Sequence, residues 1–186
     1  MLQDRRMGRR AGILVVVVAL IAILAAVAIW WLTRSTTHTG TAGPLYGEPV
    51  DLGIPAAASD ATIEYVHDGD TLFLTDGRKV RLLGVDTPEI GENAECYGED
   101  ATALLRSMLP EGANVRVLAD AQPLDQYDRS LLLIWLDDST FVNLELIEQG
   151  AAEAVVLEPN LLYAAEFEAA EDAAQYAGVG RWGACG

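Results

Sequence analysis

Three carboxylates and two arginines stand at spacings that suit chemistry on a phosphate. Val66-His67-Asp68-Gly69-Asp70-Thr71 is followed, eleven residues after Asp70, by Arg81-Leu82-Leu83-Gly84-Val85-Asp86-Thr87-Pro88-Glu89. Further on, Asp125-Gln126-Tyr127-Asp128-Arg129 sets a second arginine just before the apolar run 131–136. Carboxylates beside a guanidinium can hold a hard cation and a phosphate together. Taken singly, each motif has a plainer reading. Asp-Gly-Asp makes Asx-type turns, Asp86-Thr87-Pro88-Glu89 makes a strand exit, and a lone Arg129 is a solvated charge. Their joint occurrence, in this order and separated by apolar strands, points to a site.

The elements that must position these groups are short. Strand patterns cover 61–67, 71–75, 78–85, 113–119 and 130–136, rich in β-branched and large apolar residues and bounded by turn signals. On the first, Ile63, Tyr65 and His67 are expected on one face. Helical spacing covers 101–109, ending at Pro110, 141–149, stopped by Gly150, and 161–176, stopped by Gly178. Five strands with helices after the third and fifth predict an α+β, mainly β fold, a small antiparallel barrel rather than parallel βαβ units. Asp76-Gly77 reads as a two-residue hairpin turn. On that register Leu72 opposes Arg81 and Asp70 opposes Leu83, which makes Asp70 and Arg81 diagonal neighbours on one face. A slip of one residue would send them to opposite faces.

From about Ala61 to Trp182 the pattern resembles the thermonuclease (staphylococcal nuclease-like) family, with Asp70, Arg81, Asp86, Glu89 and Arg129 matching in order. The resemblance implies a five-stranded OB-fold barrel capped by about three helices, acting as a calcium-dependent nuclease on DNA and/or RNA. It implies that Asp70 and Asp86 ligate Ca2+ with the Thr87 carbonyl, and that Glu89 activates water. Arg81 and Arg129 would stabilise the phosphate in the transition state, Tyr127 would lie near the bound phosphate, and the products would end in a 3′-phosphate. Calcium suits an oxygen-rich, partly water-filled shell, whereas zinc would want His or Cys. The chain departs from the pattern at several points. The hairpin between Thr71 and Arg81 is short, Gln126 stands where a base is usual, and Asp128 stands where glycine is usual. Asp tolerates a left-handed turn better than most residues, but its carboxylate would compete with phosphate for Arg129. The segment 92–100 carries Glu92, Glu95, Glu99 and Asp100 and no base. A non-catalytic OB-fold binding module is the rival reading, and an adhesive ectodomain is a third.

Composition adds compartment and partners. The 186 residues fit one domain plus an N-terminal appendage. Residues 11–32 carry no charge and are long enough to cross a bilayer. Arg5, Arg6, Arg9 and Arg10 precede them, which orients the N-terminus to the cytoplasm. The expected organisation is a basic cytoplasmic segment 1–10, a transmembrane signal-anchor 11–33, a linker 34–60 and a nuclease domain 61–184. The domain would then be a membrane-anchored, extracytoplasmic monomer. A secreted form cleaved at Ala26-Val27-Ala28 is the alternative. Cys96 and Cys185, with no second thiol near either, read as a structural disulfide in an oxidising compartment. Five of the 12 basic residues and one of the 28 acidic ones precede residue 35, leaving 7 and 27, a formal net charge of −20. Nucleic-acid binders normally carry a basic footprint. This chain does not, so any affinity must rest on metal and local arginines against an opposing field that salt would screen.

Overall fold

A closed ring of five strands forms the centre of the described domain, in the order β1–β2–β3–β6–β5 and back to β1. The computed structural model describes residues 50–185. The strands are β1 (Ser59–Val66), β2 (Thr71–Leu74), β3 (Lys79–Leu82), β5 (Asn114–Leu118) and β6 (Ser130–Trp135); β4 (Val85–Asp86) and β7 (Glu153–Ala154) pair as a separate two-stranded ribbon. The helices are α1 (Gly98–Met108), α2 (Val142–Glu148), α3 (Ala164–Ala177) and the single-turn α4 (Arg181–Ala184). This is the expected α+β arrangement, consistent with the OB-fold. The proposed transmembrane segment lies outside the described residues; no helix among those described is long and apolar enough to cross a membrane.

Ile63, Leu72, Leu74, Val80, Leu82, Val115, Val117 and Leu133 are buried together in the core. Full burial of each such side chain contributes roughly 1.5–3 kcal/mol. All six residues of β6 are buried, as its unbroken apolar run requires. At its end, Trp135 stacks on Phe141 with ring centroids 4.4 Å apart and donates Nε1–H to the Leu52 carbonyl at 2.9 Å. Buried Asn143 at the start of α2 ties the layers together. Its amide donates to the carbonyls of Leu83 (2.8 Å) and Leu132 (3.2 Å), and its carbonyl accepts from Ile134 N–H (2.9 Å).

Three expectations are corrected. The barrel is not wholly antiparallel: β3 and β6 run parallel, with Val80 facing Ser130 and Leu82 facing Leu132. Strand directions cannot alternate around a closed ring of odd number, so five strands require at least one parallel pair. The β2–β3 turn is also one residue longer than two. Thr71 faces Arg81 and Leu72 faces Val80, because Leu74 N–H donates to the Arg78 carbonyl and Gly77 takes φ 89°. Asp70 therefore does not share a sheet face with Arg81 by register, and their meeting has another cause. Finally, a bulge between Ile63 and Tyr65 breaks the alternation of β1. Ile63 and Val66 point inward and Tyr65 outward, as an inserted residue demands.

Candidate active site

Asp70 reaches Arg81 through the turn that precedes β2. Asp68 Oδ1 accepts from the N–H groups of Asp70 (3.1 Å) and Thr71 (2.7 Å), which closes that turn. Gly69 lets it lie against the β4 exit, since a Cβ there would stand 2.5 Å from Thr87 Oγ1. Asp70, only 8% exposed, then accepts on Oδ2 from the N–H and the hydroxyl of Thr87, each at 3.1 Å, and on Oδ1 from the Thr71 hydroxyl at 3.2 Å. The long Arg81 side chain supplies the remaining reach. Its Nη1 donates to the carbonyls of Leu82 (3.1 Å) and Val85 (2.6 Å). Its Nη2 lies 2.6 Å from Asp86 Oδ1 and 3.2 Å from Asp70 Oδ2. One guanidinium thus bridges both carboxylates. Burial pushes the Asp70 carboxyl above its ordinary range; Arg81 and the Thr87 N–H pull it down, Asp68 and Asp86 push it up, and the net direction is upward.

Glu89 stands apart from that cluster. Its side chain is exposed, and among the described residues no hydrogen bond or ion pair joins its carboxylate to Asp70, Arg81 or Asp86. Its backbone, however, is held tightly. Glu89 N–H donates to Glu95 Oε2 (3.1 Å), and Glu95 N–H donates back to the Glu89 carbonyl (2.9 Å). Gly98 packs on that carbonyl so closely that a Cβ would lie 2.3 Å from it. Between these residues Cys96 is bonded to Cys185, with Cα atoms 5.9 Å apart. The expected disulfide is present, and it ties the Glu89 loop to the end of α4.

Arg129 is fixed by Asp125, whose part the sequence reading missed. Asp125 Oδ1 accepts from the N–H groups of Tyr127 (2.8 Å) and Arg129 (2.9 Å), and Oδ2 accepts from Arg129 Nε at 2.6 Å. Desolvation raises the Asp125 carboxyl, but the Arg129 guanidinium and the two backbone N–H groups outweigh it and hold it below the usual carboxylate range. An Asp before a tight turn, four residues from an Arg, was the available signal. Asp128 adopts φ 61°, the left-handed turn anticipated for it, and the carboxylate on Arg129 is that of Asp125 rather than Asp128. Arg129 spends only Nε on the protein, so among the described residues its two Nη groups make no hydrogen bond. They border a cavity of about 480 Å³ lined also by Arg81, Tyr127, Gln122, Leu157 and Asn160. Tyr127 is 71% exposed, with its ring 5.7 Å from the Arg129 guanidinium carbon. Buried Asn160 also went unpredicted; it exchanges two hydrogen bonds with the backbone of Gln122 (2.7 and 3.1 Å) and so sets the far wall.

The donor set agrees with a hard cation. Asp70 and Asp86 present carboxylate oxygens, and among the described residues the Thr87 carbonyl accepts no hydrogen bond. Burial, more than any neighbouring charge, holds the Asp70 carboxyl above its ordinary range even beside Arg81. Among the described residues no group of three or more His, Cys, Asp or Glu is arranged to hold a metal ion. The protein therefore offers two carboxylates and a carbonyl, and water must complete any shell.

Fold and site together define a barrel domain with two arginines on one cavity and, beside it, a buried carboxylate, Asp70, and an exposed one, Asp86, bridged by Arg81. A family model described as "Staphylococcal nuclease homologue" matches residues 79–184. The thermonuclease of Staphylococcus intermedius is 36% identical over 126 residues, covering 64% of this chain and 74% of that protein. The thermonuclease of Staphylococcus hyicus is 35% identical over 116 residues, covering 59% and 68%. Endonuclease YncB of Bacillus subtilis (strain 168) is 31% identical over 134 residues, covering 68% and 63%. The chain belongs to the staphylococcal nuclease family and is a hydrolase of the nuclease class.

Proposed function

We propose that this chain is a calcium-dependent nuclease that hydrolyses phosphodiester bonds of DNA and/or RNA outside the cytoplasm. The observation that carries the reading is the shared position of Arg81, which lines the Arg129 cavity and also bridges Asp70 and Asp86. Asp70, Asp86 and the Thr87 carbonyl would hold Ca2+, which when bound polarises the phosphate and offsets its charge. Arg81 Nη2, at the edge of the cavity, would be the group that reaches the phosphoryl oxygens. Arg129 approaches them with its free Nη groups, oriented through Nε by Asp125. Together the two guanidinium forks stabilise the charge that develops during in-line displacement. Glu89 accepts the proton of the attacking water; the water oxygen joins phosphorus as the 5′ oxygen leaves, and the product keeps a 3′-phosphate. The rigid backbone at Glu89 supports that role, because a base must be held while its carboxylate stays accessible.

The Cys96–Cys185 disulfide and the apolar segment 11–32 support an extracytoplasmic, membrane-anchored location, with release after cleavage as the alternative. We assign the active form as a monomer. Digestion of DNA and RNA by the full-length chain, in calcium against EDTA across a salt series, tests the reading. Calcium-dependent cleavage is expected, and its absence for both polymers at every salt concentration removes the assignment.

A further inference from the structure

Asp86 has a neighbour that the reaction above does not use. Its short strand β4 pairs with β7, and in that register Asp86 lies directly opposite Glu153. Opposed residues of an antiparallel pair project to the same face, with Cβ atoms about 4.5–5.5 Å apart, and like charges so placed destabilise the pairing. The ribbon closes nevertheless, with Val155 N–H donating to the Gly84 carbonyl at 3.0 Å. Each carboxylate has a guanidinium of its own. Asp86 Oδ1 takes Arg81 Nη2 at 2.6 Å, and Glu153 Oε1 takes Nη1 of Arg181 on α4. Two cations thus enclose two facing anions, and one of those cations lines the phosphate cavity.

Backbone packing sets Arg181 where it can do this. Its N–H donates to the Gly150 carbonyl at 3.0 Å. Two glycines permit that approach: a Cβ on Gly150 would stand 2.2 Å from the Val179 carbonyl oxygen, and one on Gly180 would stand 2.4 Å from that of Gln149. The Arg181 guanidinium carbon also lies 4.9 Å from the centre of the Trp182 ring. The Arg181 side chain is 24% exposed, against 43% for Glu153 and 62% for Asp86, so the cation is the more deeply set partner. Charge gives the pair its meaning. From residue 35 onward the chain has 7 basic and 27 acidic residues, and one of those few cations is committed to a single carboxylate beside the site.

We propose that Arg181 is a positioning residue of the nuclease site, acting through Glu153. It holds that carboxylate off Arg81 and away from the cation position at Asp86. Arg81 then stays available for phosphate, and the charge offered to calcium is that of Asp70 and Asp86 alone. This role rests on the nuclease reading of Asp70, Arg81 and Asp86, and its signature differs from that of a purely structural contact. Without Arg181, Glu153 carries an uncompensated charge next to Asp86, which attracts a cation and repels an anion. Calcium then binds more tightly and phosphate less tightly, whereas a distorted site loses both.

The test measures two affinities of the full-length chain by calorimetry at one moderate salt concentration. One titration uses calcium alone; the other uses a deoxythymidine dinucleotide in EDTA, so neither readout needs turnover. Arg181→Gln should tighten calcium binding and weaken dinucleotide binding, each by roughly threefold, the scale of a solvent-screened charge. Glu153→Gln should move both affinities the opposite way, and the double variant should return both to near native values. Loss of both affinities in Arg181→Gln overturns the proposal, as does a double variant no better than Arg181→Gln. If Arg181→Gln does not fold, Glu153→Gln decides alone: tighter dinucleotide binding with weaker calcium binding supports the role of Arg181, and any other pattern overturns it. A native chain that binds the dinucleotide but no calcium removes the nuclease reading instead, and the dinucleotide titrations then decide on Arg181. A native chain that binds neither overturns both.

Discussion

Arg81 and Asp70 define the residue scale, because each has two obligations. Arg81 bridges two carboxylates and would meet a phosphate in the proposed reaction; Asp70 is buried at a cost to the fold and would hold a cation in that reaction. The sign of that cost follows from its raised carboxyl. A group whose folded pKa lies above its unfolded value favours folding below the unfolded pKa, about 3.9 for Asp, and the contribution is lost as pH rises through the folded value. Asp70→Asn should therefore raise the melting temperature in EDTA at pH 7, with the difference closing on acidification through the folded Asp70 value. The same substitution should weaken calcium binding in a calorimetric titration, since a charged ligand becomes neutral. A lower melting point at pH 7 would show that Asp70 is stabilising as a carboxylate. Glu89→Gln keeps shape and hydrogen-bonding capacity but not basicity. Its turnover should drop by about two to four orders of magnitude while nucleotide affinity persists; unchanged turnover would place the base elsewhere.

At the scale of elements, the loop 89–98 is the part most exposed to small changes. Gly98 begins α1 against the Glu89 carbonyl, with 2.3 Å available to a Cβ, and the obstacle is backbone that cannot step aside. Gly98→Ala should displace the loop, costing about 1–3 kcal/mol of stability and lowering turnover more than nucleotide binding. Urea denaturation and steady-state kinetics read the two effects separately. Native stability together with native turnover would mean that the loop does not position Glu89. The turn between β2 and β3 shows what local pattern misses. Its Asp-Gly signal marked the hairpin correctly, but the loop length lies in one carbonyl–amide pairing, Leu74 with Arg78. The register shift that followed was offset by the reach of the Arg81 side chain.

At the scale of the whole molecule, charge and covalent closure dominate. Beyond residue 35 the formal charge is −20, a field that repels polyanions until salt screens it. Activity on long substrates should hold or rise between low and moderate salt, whereas a basic nuclease loses affinity steadily. A monotonic fall from the lowest salt would contradict this. The disulfide closes a separation of 89 residues. In the chain-entropy account such a closure contributes about 4 kcal/mol, so Cys96→Ser with Cys185→Ser should lower the denaturation midpoint markedly, measured against the native chain without reductant.

The types of Asp70, Arg81, Asp86, Glu89 and Arg129, and their placement at the ends of short apolar runs, were legible from the sequence. So were the five barrel strands, the three longer helices and the Cys96–Cys185 bond, because period, turn residues and a lone pair of cysteines are local or exclusive signals. Strand direction, the bulge in β1 and the two-residue strands β4 and β7 carry no such signal. The parallel β3–β6 contact is a consequence of ring closure and joins residues far apart in the chain. Tertiary structure alone decided that Asp125 governs Arg129, that Arg81 spans both carboxylates, and that Asp86 stands opposite Glu153. Each of these depends on which strand lies beside which, and pairing across strands is set by the packing of the whole core.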